Sequence, residues 1–195
     1  MKLILILFLI NISTMKSQEI EKKIYFGGGC FWCIEAYFEN VNGVTSVISG
    51  YSGGNIENPT YQQIITGKTN HAEVCQINYN PKKINLNSLL EIFFTSHDPT
   101  TLNRQGNDIG TQYRSIIFYH NEEQKNQINN FISKIQKNIF KEKKIVTEIE
   151  KLKQFYIAED YHQNFYKINT DYPYCKIIIT PKIQELRKKL KKHYK

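Results

Sequence analysis

Residues Gly27 to Cys33 read Gly-Gly-Gly-Cys-Phe-Trp-Cys, and no other run limits the possible folds of this chain so tightly. Three successive glycines let the backbone turn sharply and come close to a ligand or another segment. Before them, Lys23 to Phe26 reads as a short strand. After them, Phe31, Ile34, Glu35 and Phe38 recur at helical spacing, which predicts a helix over Phe31 to Phe38. The run is therefore a strand–turn–helix junction with Cys30 where the helix begins. The unpaired N–H groups and positive dipole end there favour thiolate over thiol. Phe31 and Trp32 set an apolar wall beside that sulfur. A nucleophilic sulfur against such a wall suits a substrate that is small and apolar around its reactive atom.

The rest of the chain offers three further cysteines, Cys33, Cys75 and Cys175. Cys30 and Cys33 form a C-x-x-C pair with three open readings. It could be a thioredoxin-like dithiol at a helix start. It could be half of a zinc site, although no second C-x-x-C or His pair stands at metal-ligand spacing. Or Cys30 could act alone, with Cys33 incidental. An even number of cysteines in an exported chain also suits structural disulfides, but 195 residues are enough to bury a core without them.

Export itself is expected from the N-terminus. Lys2 precedes an apolar run from Leu3 to Ile10, and polar residues follow from Asn11. The run is too short to span a bilayer and fits a signal-peptide core, with Met1 to Ser17 as the segment removed. No stable membrane anchor is expected, and the mature chain should be periplasmic or secreted, or cytoplasmic if the segment is not an export signal. The net charge of +8 does not make this a nucleic-acid binder. The lysines are dispersed, the arginines are only Arg104, Arg114 and Arg187, and no basic–aromatic interleaving occurs.

From residue 20 to residue 195 the pattern is that of one domain, without repeats or low-complexity blocks. Strands are expected over Gly43 to Gly50, Ala72 to Tyr79, Ser115 to Tyr119 and Ile145 to Ile149. Helices are expected over Leu86 to Ser96, Glu122 to Phe140 and Glu159 to Tyr166, with a last one containing Leu186 and Leu190. Tyr51 to Pro59 and Asp98 to Thr111 read as loops, and Ile177 to Ile179 as a β-rich run. Strands and helices mix without strict alternation. That predicts an α+β fold, a two-layer sandwich of a mixed or antiparallel sheet with helices. In the strand Ala72 to Tyr79, Glu73 shares a face with Cys75, Ile77 and Tyr79, while Val74, Gln76 and Asn78 form the other, more polar face. A carboxylate on the apolar side should have its pKa raised by desolvation.

Several ordered segments together resemble the A-type peptide methionine sulfoxide reductases. They are Gly28-Gly29-Cys30-Phe31-Trp32, Ser49-Gly50-Tyr51-Ser52-Gly53-Gly54, Pro59-Thr60-Tyr61, His71-Ala72-Glu73-Val74 and His97-Asp98-Pro99-Thr100-Thr101. Arg104 to Asp108, Gly110 to Ser115 and Ala158 to Gln163 continue the series, so the resemblance runs from Lys23 to about Pro181. It implies a ferredoxin-like core and reduction of the S epimer of methionine sulfoxide, free or in proteins. Cys30 is then the nucleophile and Glu73 the acid that protonates the sulfoxide oxygen. Tyr61 and Tyr113 hydrogen-bond that oxygen, Asp108 helps organise the site, and Phe31 and Trp32 receive the methyl group. The resemblance gives Cys175 the role of resolving thiol, with Cys33 as its competitor. It implies no metal and no bound cofactor, a monomer, and thioredoxin or a similar dithiol as reductant. Two rival functions are a general disulfide oxidoreductase using Cys30 and Cys33, and a disulfide-stapled exported binding module.

Overall fold

The computed structural model describes residues 21–195; the expected signal segment lies outside them. Eight strands and six α-helices form a mixed α+β fold. The first strand, β1 (Lys22–Gly27), leads through the glycines into helix α1 (Phe31–Phe38). Strand β2 (Val44–Ser52), the short helix α2 (Tyr61–Ile64), strand β3 (Ala72–Tyr79) and helix α3 (Leu86–Ser96) follow. A two-residue hairpin, β4 (Arg104–Gln105) and β5 (Asp108–Ile109), sits in the stretch expected to be a loop. Then come β6 (Ile116–Tyr119), α4 (Glu122–Asn138), β7 (Glu148–Lys151), β8 (Phe155–Ile157), α5 (Phe165–Ile168) and α6 (Thr180–Lys189).

Six strands make one sheet in the order β7-β6-β1-β3-β2-β8, antiparallel throughout except for the parallel pair β6–β7. Helix α1 packs on β1, β2 and β3, and α3 packs on α1, α4 and α6. The main core lies between these helices and the sheet, where Ile24, Phe26, Cys75 and Ile77 meet Ile34, Phe38, Leu90 and Phe93. Phe26 stacks on Phe93 with ring centroids 4.5 Å apart. Among the described residues, no helix is long and apolar enough to cross a membrane.

Four local expectations are corrected. Tyr51 and Ser52 continue β2, because Tyr51 pairs with Glu73 on one side and Tyr156 on the other. The strand expected over Ile145 to Ile149 begins at Glu148, in register with Ile116 of β6. The helix expected over Glu159 to Tyr166 is broken: a 3₁₀ turn over Asp160–His162 ends before Asn164, whose φ is +53°. Ile177 to Ile179 is no strand but the end of a π-helical turn, Cys175–Ile179, continuous with α6. Strand alternation would have put Cys175, Ile177 and Ile179 on one face. Instead Cys175 and Ile179 are buried and Ile177 is exposed.

The face assignment in β3 stands, with a refinement. Cys75, Ile77 and Tyr79 do enter the helix-side core. The opposite face is buried as well: Ala72 and Val74 join Tyr25, Ile116 and Phe118 in a second apolar cluster. Its polar members satisfy one another, since the Tyr25 hydroxyl donates to Gln76 (2.8 Å), Gln76 to Asn78 (3.0 Å) and Asn78 to Ser46 (2.6 Å).

Candidate active site

Cys30 is the N-cap residue of α1, and its carbonyl accepts the Cys33 N–H at 3.0 Å. Gly29 makes the turn possible with φ +99°, a conformation side chains rarely adopt. The expected thiolate is opposed by the surroundings. Burial pushes the Cys30 thiol well above the ordinary thiol range; a hydrogen bond to Cys33 and the charge of Glu73 add to this, and the Trp32 N–H only partly offsets it. Cys33 is shifted the other way, chiefly because it accepts the hydrogen bond from Cys30, with the neighbouring Tyr174 and Tyr37 hydroxyls adding to the shift and burial opposing it. The two sulfurs therefore titrate as a pair. The first proton leaves easily, and the second is held between them.

Glu73 lies behind this junction, 1% exposed, and its Oε2 accepts the Phe31 N–H at 3.0 Å. Burial pushes its pKa up to about 8 despite that hydrogen bond, with Asp108 and Cys33 adding to the rise. At neutral pH it is mostly a neutral acid. Burial raises both Tyr61 and Tyr113, and the charges of Glu73, Cys30 and Asp108 act on each of them. Both phenols thus stay protonated and lie in the field of the same three groups. Tyr61 is carried by α2, whose first N–H donates to Glu159 Oε1 at 2.8 Å. The other Glu159 oxygen accepts the Tyr51 hydroxyl at 2.8 Å, which ties α2 to strand β2.

The aromatic wall is a layered stack. Trp32 lies flat on Phe165, with centroids 3.6 Å apart and planes 4° apart. Its indole N–H donates to His162 Nδ1 at 3.0 Å. The His162 ring in turn packs on Phe31 (4.9 Å) and Tyr61 (4.4 Å). The turn bearing Phe165 is fixed from α1 itself: Glu35, also 1% exposed, accepts the Asn164 N–H at 2.9 Å and the Phe165 N–H at 3.1 Å.

A cleft of about 370 Å³ opens beside Cys30. Cys33, Tyr37, Gln105, Asp108, Tyr174 and Ile178 line it. Tyr174 reaches across it, donating to Asp108 Oδ2 at 2.7 Å and lying 3.5 Å from Cys33 Sγ.

The fold joins Glu73 to Phe31 beside Cys30, sets Trp32 and Tyr61 around the His162 ring, and places Asp108 on the cleft next to Cys30, while Tyr113 ends a 3₁₀ turn packed on β3. It does not gather Cys175, which is fully buried in the main core and absent from the cleft. Cys75 is also fully buried, its thiol donating to the Phe31 carbonyl at 3.3 Å, as a small core residue would. All four cysteines are free. The family model for peptide methionine sulfoxide reductase matches residues 22–194.

The chain belongs to the peptide methionine sulfoxide reductase family. It is 54% identical to the peptide methionine sulfoxide reductase MsrA of Sulfolobus acidocaldarius over 162 residues, covering 83% of this chain and 91% of that protein. Among solved structures it is similar to reduced Mxr1 from Saccharomyces cerevisiae, with a TM-score of 0.73 and 36% identity over 80% of this chain and 89% of that one. It is also similar to Mxr1 in complex with Trx2, with a TM-score of 0.52 and 29% identity over 74% of this chain and 84% of that one.

Sequence patterning missed three members of this reductase site. Glu35 and Glu159 act through backbone N–H groups 98 to 130 residues away, which no local pattern encodes. Tyr174 was one of thirteen tyrosines. Its one distinguishing signal was its place beside Cys175. His71 and His162 both make structural hydrogen bonds: besides the Trp32–His162 bond, His71 Nδ1 accepts the Gly54 N–H at 3.1 Å while Nε2 faces the Ile56 carbonyl at 2.8 Å.

Proposed function

We propose that this chain reduces the S epimer of methionine sulfoxide, free or within proteins, with Cys30 as nucleophile and Glu73 as general acid. The observation that carries this is the link between the two groups. The acid grips the N–H of Phe31, the residue after the nucleophile, so acid and sulfur are fixed on one turn. Burial keeps Glu73 protonated near pH 7, where a sulfoxide oxygen needs a proton before its sulfur is electrophilic.

In the first step a proton leaves the Cys30–Cys33 pair and Cys30 Sγ attacks the sulfoxide sulfur. Glu73 protonates the oxygen, and Tyr61 and Tyr113 hydrogen-bond it. Asp108 helps hold the site, and the substrate methyl lies against Phe31 and Trp32. The oxygen passes to Cys30: sulfoxide and thiol become thioether and sulfenic acid. A second thiol condenses with the sulfenic acid, giving a disulfide and water. A thioredoxin-like dithiol then reduces the disulfide by exchange. The enzyme is thiol-dependent and uses no bound cofactor. We also read β1–α1–β2–β3–α3–β6, with its four strands adjacent as β6-β1-β3-β2, as the ferredoxin-like core the resemblance implies.

The test is conversion of separated S and R methionine sulfoxide epimers by the purified protein with dithiothreitol. The S epimer should be consumed and the R epimer left, and Cys30→Ser should abolish conversion. Consumption of the R epimer, or an active Cys30→Ser variant, would overturn the proposal.

A further inference from the structure

We infer that Glu35 is a positioning residue for the substrate pocket: by gripping the turn at Asn164 and Phe165 it sets the Phe165 ring under Trp32, and so fixes how large a group on the substrate sulfur the pocket admits. This rests on the reductase function proposed above and names what holds the wall that meets the substrate methyl.

Trp32 and Glu35 stand three apart in α1, so they are neighbours on one helix face, and α5 packs on α1. The Glu35 carboxylate accepts two backbone N–H groups, Asn164 on Oε1 at 2.9 Å and Phe165 on Oε2 at 3.1 Å. Asn164 is left-handed, with φ +53°, a conformation that is costly unless its surroundings hold it. The two bonds to Glu35 hold it. Phe165 leaves this turn with its ring flat on Trp32, and Tyr172 meets the far side edge-on, with centroids 5.7 Å apart. The same helix therefore carries the indole and the carboxylate that secures the support of that indole.

A carboxylate is an expensive group to bury here. Burial pushes Glu35 up to about 7; the charge of Glu39 adds to the rise, and the Asn164 and Phe165 N–H groups and the nearby Ser49 hydroxyl oppose it. What the carboxylate supplies, and its amide does not, is two acceptors. Glutamine would offer one oxygen and turn an NH₂ group toward the second N–H. With one bond lost, the turn is free to shift and the Phe165 ring with it. An apolar pocket rejects one extra methylene by about tenfold or more only while its wall cannot retreat. His162 holds the indole N–H at one edge of Trp32, and Phe165 supports the face.

The test measures kcat/KM with dithiothreitol at pH 8 for the S epimers of methionine sulfoxide and of ethionine sulfoxide, whose sulfur carries ethyl in place of methyl. The proteins are the wild type, Glu35→Gln, Phe165→Ala and the double variant. The ratio of the two kcat/KM values does not depend on the fraction of enzyme that is folded, so a destabilised variant still reports. The wild type should favour the methyl substrate. Glu35→Gln should lower that preference about tenfold, the low end of what one methylene is worth in an apolar pocket. It should also move the emission of Trp32, the one tryptophan of the chain, to longer wavelength. Phe165→Ala should do the same. The double variant should match Phe165→Ala, because Glu35 acts through that ring. A wild type that treats both substrates alike, or a Glu35→Gln variant with the wild-type ratio, would overturn the inference. So would effects of the two substitutions that add in full. A lower melting temperature with an unchanged ratio would leave Glu35 as a support of the fold alone and equally overturn it. Failure of the wild type to form any methionine would instead sink the reductase function itself, which keeps the two failures apart.

Discussion

The Glu73 carboxylate accepts the Phe31 N–H at 3.0 Å, and Phe31 is the residue that follows Cys30. A strand from the middle of the sheet thereby grips the first turn of the helix that presents the nucleophile. The bond opposes the upward shift of Glu73, but burial outweighs it and leaves the pKa at about 8.

Replacing Glu73 by Gln keeps an oxygen for the Phe31 N–H and removes the proton donor. General acids contribute about 10²–10⁴-fold to such steps. Single-turnover reduction by Glu73→Gln should therefore fall by at least about a hundredfold at pH 7. The wild-type rate should decline as pH rises through about 8, where Glu73 loses its proton. Stopped-flow measurement of methionine formation from pH 6 to 10 checks this. A Gln variant with the same alkaline limb would remove Glu73 as the acid.

The same carboxyl makes stability depend on pH. Its pKa rises from 4.5 to about 8 in the folded protein, so the fold binds this proton more tightly than the unfolded chain does. The resulting stabilisation is complete below about pH 4.5 and is lost as pH rises through 8. Above pH 8 the wild type carries a buried charge that Glu73→Gln lacks. At pH 9 the Gln variant should melt higher than the wild type, by a difference on the order of a few kcal/mol. At pH 4.5 the two should melt together. Glu35, pushed up to about 7 by burial, titrates in the same window in both proteins and cancels from the comparison.

Gly29 tests the turn that precedes Cys30. Its φ of +99° disfavours any side chain, and an added Cβ would lie 2.7 Å from Gln105 Cγ. Gln105 is itself engaged, accepting the Asp98 N–H at 3.0 Å. Gly29→Ala should lose about 1–3 kcal/mol from the backbone conformation alone. It should also lower kcat, because the residue it displaces adjoins the nucleophile. Urea unfolding with parallel kinetics would check both. A variant with wild-type stability would show that the turn tolerates a side chain.

Legibility in the sequence followed the range of the interaction. The glycine run, the helix start at Cys30 and the alternation that put Glu73 beside Cys75 and Ile77 are local patterns, and the folded chain keeps them. Ile177 to Ile179 misled because β-branched residues favour strands, while here the burial of Cys175 and Ile179, four apart, selects a helical turn. Tyr51 and Ser52 looked like turn material beside Gly53 and Gly54, and joined the sheet because β8 arrives from about a hundred residues downstream. Tyr174 and Cys33 are 141 residues apart, and Glu35 and Phe165 are 130 apart, so their partnerships exist only once the chain has folded.

Trp32 is the one tryptophan of the chain, which makes its fluorescence a reporter of the site. Its indole N–H can only donate, so His162 Nδ1 must be an unprotonated acceptor. Burial lowers the His162 pKa below the ordinary histidine value of 6.5, with Glu159 opposing the shift. The neutral ring is therefore the folded form at neutral pH. Its contribution to stability is present above about 6.5 and is lost as pH falls through the depressed value. Below pH 6.5, Trp32 emission should show a transition of its own, when protonation turns Nδ1 into a donor. His162→Phe keeps a ring against Phe31 and Tyr61 but removes the acceptor. Its emission should be altered already at pH 7 and should not respond to acid in this way. Loss of the bond loosens the wall that receives the substrate methyl. KM should therefore rise about three- to tenfold, the scale of one neutral hydrogen bond, with a smaller change in kcat. An acid-induced emission change that persists in His162→Phe would assign the transition to another group.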